Sequence, residues 1–272
     1  MMRSMYSGIS GIRAHQVKMD VVANNIANVN TVGYKSSRVT FQEVLNQTIQ
    51  PAFATTGTSI GGMNAQQIGL GVSVGTIDVV QNPSGVQRTD RPFDVSIASD
   101  GFFTVTDGTD KLYTRAGNFY IDGGTEADPK GTLVTQSGYK ICDMAGNPIE
   151  FNPGDYTNLS IDKGGNIKGI ANADGNVVTI ATLGVTKFTN SQGLMKEGSN
   201  LYRATPNSGS ATTGEPGTTG FSSLIPGSLE MSNVDLSQEF TDMIIAQRGF
   251  QAKSRVITTS NELLQELAGI IR

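Results

Sequence analysis

The stretch Asp235-Leu236-Ser237-Gln238-Glu239-Phe240-Thr241-Asp242-Met243-Ile244-Ile245-Ala246-Gln247-Arg248-Gly249-Phe250 begins a long periodic run. Leu236, Phe240, Met243, Gln247, Phe250, Ser254, Ile257, Asn261 and Leu264 recur in steps of four and three, the repeat of a helix packed along a coiled-coil seam. Val256, Leu263 and Leu267 flank that seam. Asp235 stands where an N-cap belongs, and Gln238 follows as in a capping box. The pattern predicts a helix from about Leu236 to Ile271. At 1.5 Å per residue it would be about 50 Å long, so part of its apolar stripe must be covered by something outside a single folded copy.

The same spacing appears at the other extremity, where Met5, Ile9, Ile12, Gln16, Met19, Ala23 and Ile26 form a seam and predict a helix from about Ser4 to Asn28. Its intrinsic propensity is poor, since Gly8 and Gly11 each cost about 1 kcal/mol relative to alanine. Such a helix needs a partner. Between the two helices the texture changes to short apolar runs such as Phe102-Phe103-Thr104-Val105, Thr132-Leu133-Val134 and Val177-Val178-Thr179-Ile180. Turn pairs such as Asp107-Gly108, Asp122-Gly123 and Asp174-Gly175 punctuate them, the texture of antiparallel β-structure. The expected fold class is therefore α+β, with long N- and C-terminal helices around a central antiparallel β-domain. Residues 1–32 and 230–272 are expected to form the helical domain, 33–70 a linker segment and 71–229 a β-rich domain. Gln47–Gly62 and Asn207–Gly220, rich in Gly, Thr and Ser, read as connections.

Bulk properties narrow the function classes. Of the 272 residues only 16% are charged, 33 are glycine and none is tryptophan, which suits turns and neutral, self-associating surfaces. A net charge of −4 without a Lys/Arg cluster gives no footprint for nucleic acid or an anionic membrane, and no stretch is apolar enough to span a bilayer. Cys142 stands alone, which excludes an internal disulfide framework or a multi-thiolate zinc site and reads as a buried thiol. The N-terminal residues lack the sustained apolar run of a secretory signal, so export is expected to proceed without a cleaved signal peptide.

Catalytic patterns fare poorly. Gly57-Thr58-Ser59-Ile60-Gly61 fits a nucleophile elbow, yet His15 precedes it and the required strand-to-helix context is missing, so chance in a Gly/Ser/Thr-rich loop explains it better. His15 reads as a solvated or packing residue on a helix face. Asn172-Ala173-Asp174-Gly175-Asn176 lacks the closing glutamate of a calcium loop and reads as a hairpin turn. Asp94 and Asp100 read as turn and strand-end hydrogen-bonding groups, and the glycosylation sequons at Asn46 and Asn158 carry no weight. No catalytic, metal or cofactor residue is assigned, and the chain is not expected to be an enzyme.

A resemblance then enters. Ala23-Asn24-Asn25-Ile26-Ala27-Asn28-Val29-Asn30-Thr31-Val32-Gly33-Tyr34-Lys35 resembles the signature of the flagellar rod, hook and hook-associated proteins. Ser232-Asn233-Val234-Asp235-Leu236 and Met243-Ile244-Ile245-Ala246-Gln247-Arg248 resemble the other end of that family. Gln67-Ile68-Gly69-Leu70-Gly71-Val72, Gly101-Phe102-Phe103 and Tyr113-Thr114-Arg115-Ala116-Gly117-Asn118-Phe119 are similar to its β-domain motifs, in the family's order. Within the family the resemblance is closest to the short hooks of Gram-positive bacteria, with the distal rod next.

The resemblance implies a structural subunit that self-assembles into the tubular hook transmitting motor torque, with a stiff distal-rod subunit as the alternative. It implies that the terminal helices pair as a coiled-coil layer lining the tube, beneath an outer β-domain. The implied partners are further copies in a helical polymer, adjacent rod and hook-associated proteins, the hook cap and the flagellar type III export apparatus, with no nucleic acid and no membrane insertion. The expected assembly interface comprises Met5, Ile9, Ile12, Met19, Asn24, Asn25, Ile26 and Gly33, with Leu236, Phe240, Met243, Gln247, Arg248, Phe250, Ile257 and Leu264. Local chemistry offers a simpler role for part of it: Asn24, Asn25, Asn28 and Asn30 tolerate a helix end, and Gly33 can take a positive φ that redirects the chain.

Overall fold

A computed structural model describes residues 2–54, 61–124, 130–172 and 175–270. The chain divides into two compact units, one of Met1–Ala27, Ser37–Val79 and Asp235–Arg272, the other of Asn28–Ser36 and Val80–Val234. Both predicted helices are present. In the first unit α1 spans Met2–Ala27, followed by strands β1 (Ser37–Glu43), β2 (Asn46–Gln50), β3 (Gln66–Gly69) and β4 (Val72–Val79), and the chain returns as α2, Leu236–Ile270. Asp235 caps α2 through Oδ1, which accepts from the backbone N–H of Ser237 at 2.9 Å and of Gln238 at 3.4 Å. Ser59, Asp174, Ile271 and the Leu267 side chain, all named above, lie outside the described residues.

The two helices run antiparallel. Gly8 of α1 faces Ile257 of α2, Gly11 faces Lys253, and Lys18 Nζ reaches Asp242 Oδ1 at 2.7 Å. The buried positions of α1 are Gly8, Gly11, Ala14, Val22 and Asn25, and those of α2 include Ala246 and Ser260. These lie beside the predicted seam, not on it: Met5, Ile12, Met19 and Ile26 are half-buried and Ile9 is exposed. The physical reason is close approach. A Cβ built on Gly8 would sit 3.3 Å from Ile257 Cγ1, and one on Gly249 would sit 2.7 Å from the His15 ring. The glycines that weaken α1 as an isolated helix are thus the positions at which its neighbour fits.

On α2 the predicted seam is met in part. Met243, Phe250, Ser254, Ile257 and Leu264 are half-buried, whereas Leu236, Phe240, Gln247 and Asn261 are exposed.

Residues 33–70, expected to link domains, carry β1, β2 and β3. β1 pairs antiparallel with β4 and both pack on α1, while Ser10 Oγ accepts from the Val72 N–H at 3.4 Å. β2 and β3 form a two-stranded ribbon whose residues are almost all exposed. Their side chains do not alternate between apolar and polar, so the period-two signal that marks a half-buried strand is absent.

The paired strands of the second unit are all antiparallel among the described residues, with short 3-10 turns at Pro153–Asp155 and Ser191–Gly193. A ten-stranded sheet runs along a path from Glu150–Phe151 to Met195–Gly198 and holds Phe102–Thr106 and Lys111–Thr114 near its middle. A three-stranded sheet joins Tyr156–Ile161, Asn166–Ala171 and Val177–Thr182. The predicted runs at 102, 132 and 177 all lie in strands. Strand pleating splits the apolar residues into two clusters, since consecutive side chains point to opposite faces. Phe103, Leu112 and Leu201 join the main core with Val105, Phe119 and Leu133, whereas their neighbours Phe102, Tyr113 and Tyr202 pack with Phe188 and Leu194. The second cluster is edge-to-face: Tyr113 and Phe188 ring centroids are 4.8 Å apart, Phe102 and Tyr202 5.6 Å. Cys142 is buried in this unit, and burial raises its thiol to about 11, too high for a reactive thiolate.

Candidate functional site

Two features stand out, one in each unit. In the helical unit α2 exposes Leu236, Phe240, Ile244, Ile245, Val256 and Leu263. A helix of 35 residues would turn its apolar side chains toward its own core if that core could hold them, but the interior side of α2 is occupied by Ala246, Gly249, Lys253 and Ile257 against α1. Phe240, Ile244 and Ile245 are each more than half exposed, at 51%, 56% and 56%. Exposed apolar patches of this kind mark association surfaces. The β2–β3 ribbon adds exposed Ile49 and Ile68, and Leu45 just before it is exposed too.

In the β-rich unit the sequence motifs meet at a buried ion cluster that spacing alone did not reveal. Lys35 and Arg115 are 0% and 1% exposed and share the carboxylate of Glu230, itself 2% exposed. Lys35 Nζ donates to Glu230 Oε1 and to the Asn82 carbonyl, each at 2.7 Å. Arg115 Nη1 spans both Glu230 oxygens at 3.1 and 3.2 Å, and Nη2 donates to the Ser99 carbonyl at 3.1 Å. The Ser84 backbone N–H fills a further acceptor site on Oε1 at 3.1 Å. Arg115 lies over the Phe102 ring, 5.3 Å from its centroid. Burial pulls the Lys35 ammonium below its ordinary value, and the adjacent Glu230 opposes that shift. Two cations on one carboxylate leave an excess positive charge, partly offset by Asp100, whose Oδ1 is 3.9 Å from Arg115 at the surface.

Backbone geometry builds this cluster. Gly33 takes φ +68°, and its N–H donates to the Glu230 carbonyl at 2.8 Å. A Cβ there would come 2.8 Å from the Ala116 nitrogen, so glycine is required by close approach as well as by φ. The turn directs Lys35 inward. Lys196 closes the outer side, donating to the Lys35 carbonyl at 2.7 Å with its ammonium 4.7 Å over the Tyr34 ring, and burial draws it down to about 8.

The other residues singled out in the sequence separate. Asn25 lies in the helical unit, buried and bonded to Ser37 and Glu239, whereas Asn24 is exposed on α1. Gln247 and Arg248 are exposed on α2. Asp94 is buried and accepts from the Thr89 hydroxyl at 2.7 Å, a turn role, while Asp100 is exposed. His15 is half-buried beside Phe41, with centroids 5.7 Å apart, the packing role expected of it. Beside the ion cluster a cleft of about 560 Å³ is lined by neutral residues including Thr31, Asn118, Gln136 and Asn200. Glu230 is the member of this cluster that the sequence reading did not single out. Its only signal was position, two residues before the Ser232-to-Leu236 motif.

Comparison with known proteins adds an independent line. The family model described as flagella basal body rod protein matches residues 5–35, the flagellar hook protein FlgE/F/G D1 domain matches 96–169, and the flagellar basal body rod FlgEFG protein C-terminal matches 225–270. Over its full length the chain is 50% identical to the full-length flagellar basal-body rod protein FlgG of Bacillus subtilis. It is 34% identical to the FlgG of Caulobacter vibrioides, covering 97% of each protein. The flagellar hook protein FlgE of Borreliella burgdorferi is 28% identical across an alignment of 441 residues, which covers 98% of this chain and 99% of that protein.

Proposed function

The chain belongs to the flagellar rod and hook protein family, a structural subunit of the flagellar axis, and from that premise we propose that it polymerises as the distal rod. In this reading α1 and α2 pair as a coiled-coil layer around the lumen, copies of the chain cover the apolar face of α2, and the β-rich unit lies outside. A head-to-tail contact that does not close on itself generates an open helical filament, so one self-complementary pair of surfaces suffices to build a tube. The observation that carries the reading is the set of exposed apolar side chains Phe240, Ile244, Ile245, Val256 and Leu263 on a helix whose side toward α1 is already filled. The proposed interface joins those side chains to Ile9, Leu236, Gln247 and Arg248, with half-buried Met5, Ile12, Met19, Ile26, Met243, Phe250 and Leu264 at its margins.

The hook is the second reading, supported by the hook-protein relative and by the hook-domain match in the β-rich unit. The rod is favoured because the rod relatives match this chain in length, whereas alignment with the hook protein must accommodate a much longer chain. Neighbouring rod and hook-associated proteins, a cap at the growing end and delivery through the type III export channel complete the proposal. Immunogold labelling of isolated hook–basal bodies from cells carrying an epitope-tagged copy separates the two readings. Label confined to the rod supports the distal rod; label along the curved hook replaces it with the hook. Label on neither removes both.

A further inference from the structure

Four times the chain passes between its two compact units, after Ala27, Ser36, Val79 and Val234. On the β-rich side three of these passages are tied to one another within a few residues. The Ser36 N–H donates to Asn233 Oδ1, Asn233 Nδ2 donates to the Val80 carbonyl, and the Val80 N–H donates to the Ser36 carbonyl, each at 2.8 Å. The Lys35–Glu230–Arg115 cluster and the Gly33-to-Glu230 backbone bond fasten the same outgoing and returning segments. On the helical side Asn25 makes a separate tie, which parts when the helices do. Its Oδ1 accepts from the Ser37 N–H at 3.0 Å, and its Nδ2 donates to the Ser37 carbonyl at 2.8 Å and to Glu239 Oε1 at 2.9 Å.

We propose that Asn233 and the Lys35–Glu230–Arg115 cluster form a clasp that passes tension directly between the chain's outgoing and returning segments, so that load on the two helices bypasses the β-rich fold between them. Without the clasp, a pull on α1 and α2 is borne by all the chain from Ser36 to Glu230, roughly 650 Å when extended. With it, the load crosses a set of bonds that stand side by side and break together. Burial matters to this function. At a fully buried ion cluster no water waits to replace a broken bond, and partial opening leaves a charge unpaired, so the clasp opens all at once or not at all. The use of such a clasp in a driven polymer rests on the axial-subunit reading, whereas the test below uses single molecules and does not depend on assembly.

Optical-tweezers pulling on the full chain, with handles at its first and last residues, measures the load path. The unaltered chain is expected to separate its helices first and then open the β-rich unit in one event that releases roughly 650 Å. Asn233→Leu, close in size, is expected to raise the rate of that second event by roughly tenfold or more at a fixed force, and Glu230→Gln by more. A second pair of handles, at exposed Ala145 and Thr219, loads the same unit along a path that omits the clasp, and there Asn233→Leu is expected to leave the opening rate unchanged. Equal acceleration along both axes makes Asn233 an ordinary stability residue and overturns the proposal, as does no acceleration along the terminal axis. If Glu230→Gln does not fold, Asn233→Leu and the milder Asn233→Ser decide the matter by the same two-axis comparison.

Discussion

The two units treat their apolar side chains in opposite ways. In the β-rich unit Phe103, Val105, Phe119 and Leu133 are fully buried, and the interior even encloses Lys35, Arg115 and Glu230. In the helical unit most of the buried positions are small, Gly8, Gly11, Ala14 and Ala246 among them, while Phe240, Ile244 and Ile245 face outward. One unit completes its core within a single copy; the other fills its interior by close helix approach and leaves its large side chains exposed. Since apolar burial contributes about 25 cal/mol per Å², stability in the first unit is intrinsic, and in the second the proposed assembly would add to it. Unfolding of the free chain should therefore proceed in two transitions, the helical one shifting with protein concentration.

The largest effect expected from this contrast is at Phe103, where truncation to alanine removes a side chain enclosed by the main core. Phe103→Ala should cost the β-rich transition about 3–5 kcal/mol in urea denaturation and leave the helical transition in place. Equal loss in both would mean that the two units fold as one. Next comes Phe240→Asp, which should leave the free chain within about 0.5 kcal/mol of normal while abolishing filaments. A carboxylate forced into a packed apolar contact costs about 2 kcal/mol or more per subunit, enough to suppress cooperative growth. Sedimentation of the concentrated protein checks this, and filaments at the ordinary critical concentration would place Phe240 outside the contact. A smaller effect is expected at Gly249, where a methyl group would meet the His15 ring at 2.7 Å. Gly249→Ala should weaken helix pairing by about 1–3 kcal/mol, visible as loss of helical circular dichroism before any change in near-ultraviolet signals of the β-rich unit.

Much of the architecture was legible in the sequence, and the parts that were not have a common cause. Both helices, the Asp235 cap, the strands at 102, 132 and 177 and the positive φ of Gly33 follow from local pattern, which reports periodicity and backbone freedom. The face that α1 buries was missed by one position, because periodicity weights large apolar residues and a seam built from Gly8, Gly11 and Ala14 carries almost no hydrophobic signal. β1 to β3 were hidden for a similar reason, their side chains being largely exposed on both faces. The Lys35–Glu230–Arg115 cluster joins residues separated by most of the chain, so local pattern carries no sign that they meet. Only the resemblance drew attention to two of the three segments that meet there, Gly33-Tyr34-Lys35 and Tyr113-Thr114-Arg115.

The mildest consequence concerns His15, which lies where the two helices and β1 meet. Its ring rests edge-on against Phe41 of β1 and occupies the space left by Gly249 of α2. Its buried Nδ1 has no hydrogen-bond partner among the described residues. The charged groups that act on it are Lys253 of α2 and Lys18 of α1, the latter engaged with Asp242. Burial, then Lys253, then Lys18 hold its pKa below the ordinary 6.5. A depressed folded-state pKa means that the unfolded chain takes up the proton first. The contribution to helix pairing is thus complete above about pH 6.5 and is lost as pH falls through the depressed value. Helical circular dichroism of the free chain, followed from about pH 7 to about pH 5, should show a shallow loss that His15→Phe removes, since a phenyl ring keeps the packing without the titration. If the loss persists unchanged in His15→Phe, carboxylates elsewhere control the helix pair, and the helical unit owes its acid sensitivity to its surface instead of to the ring at its centre.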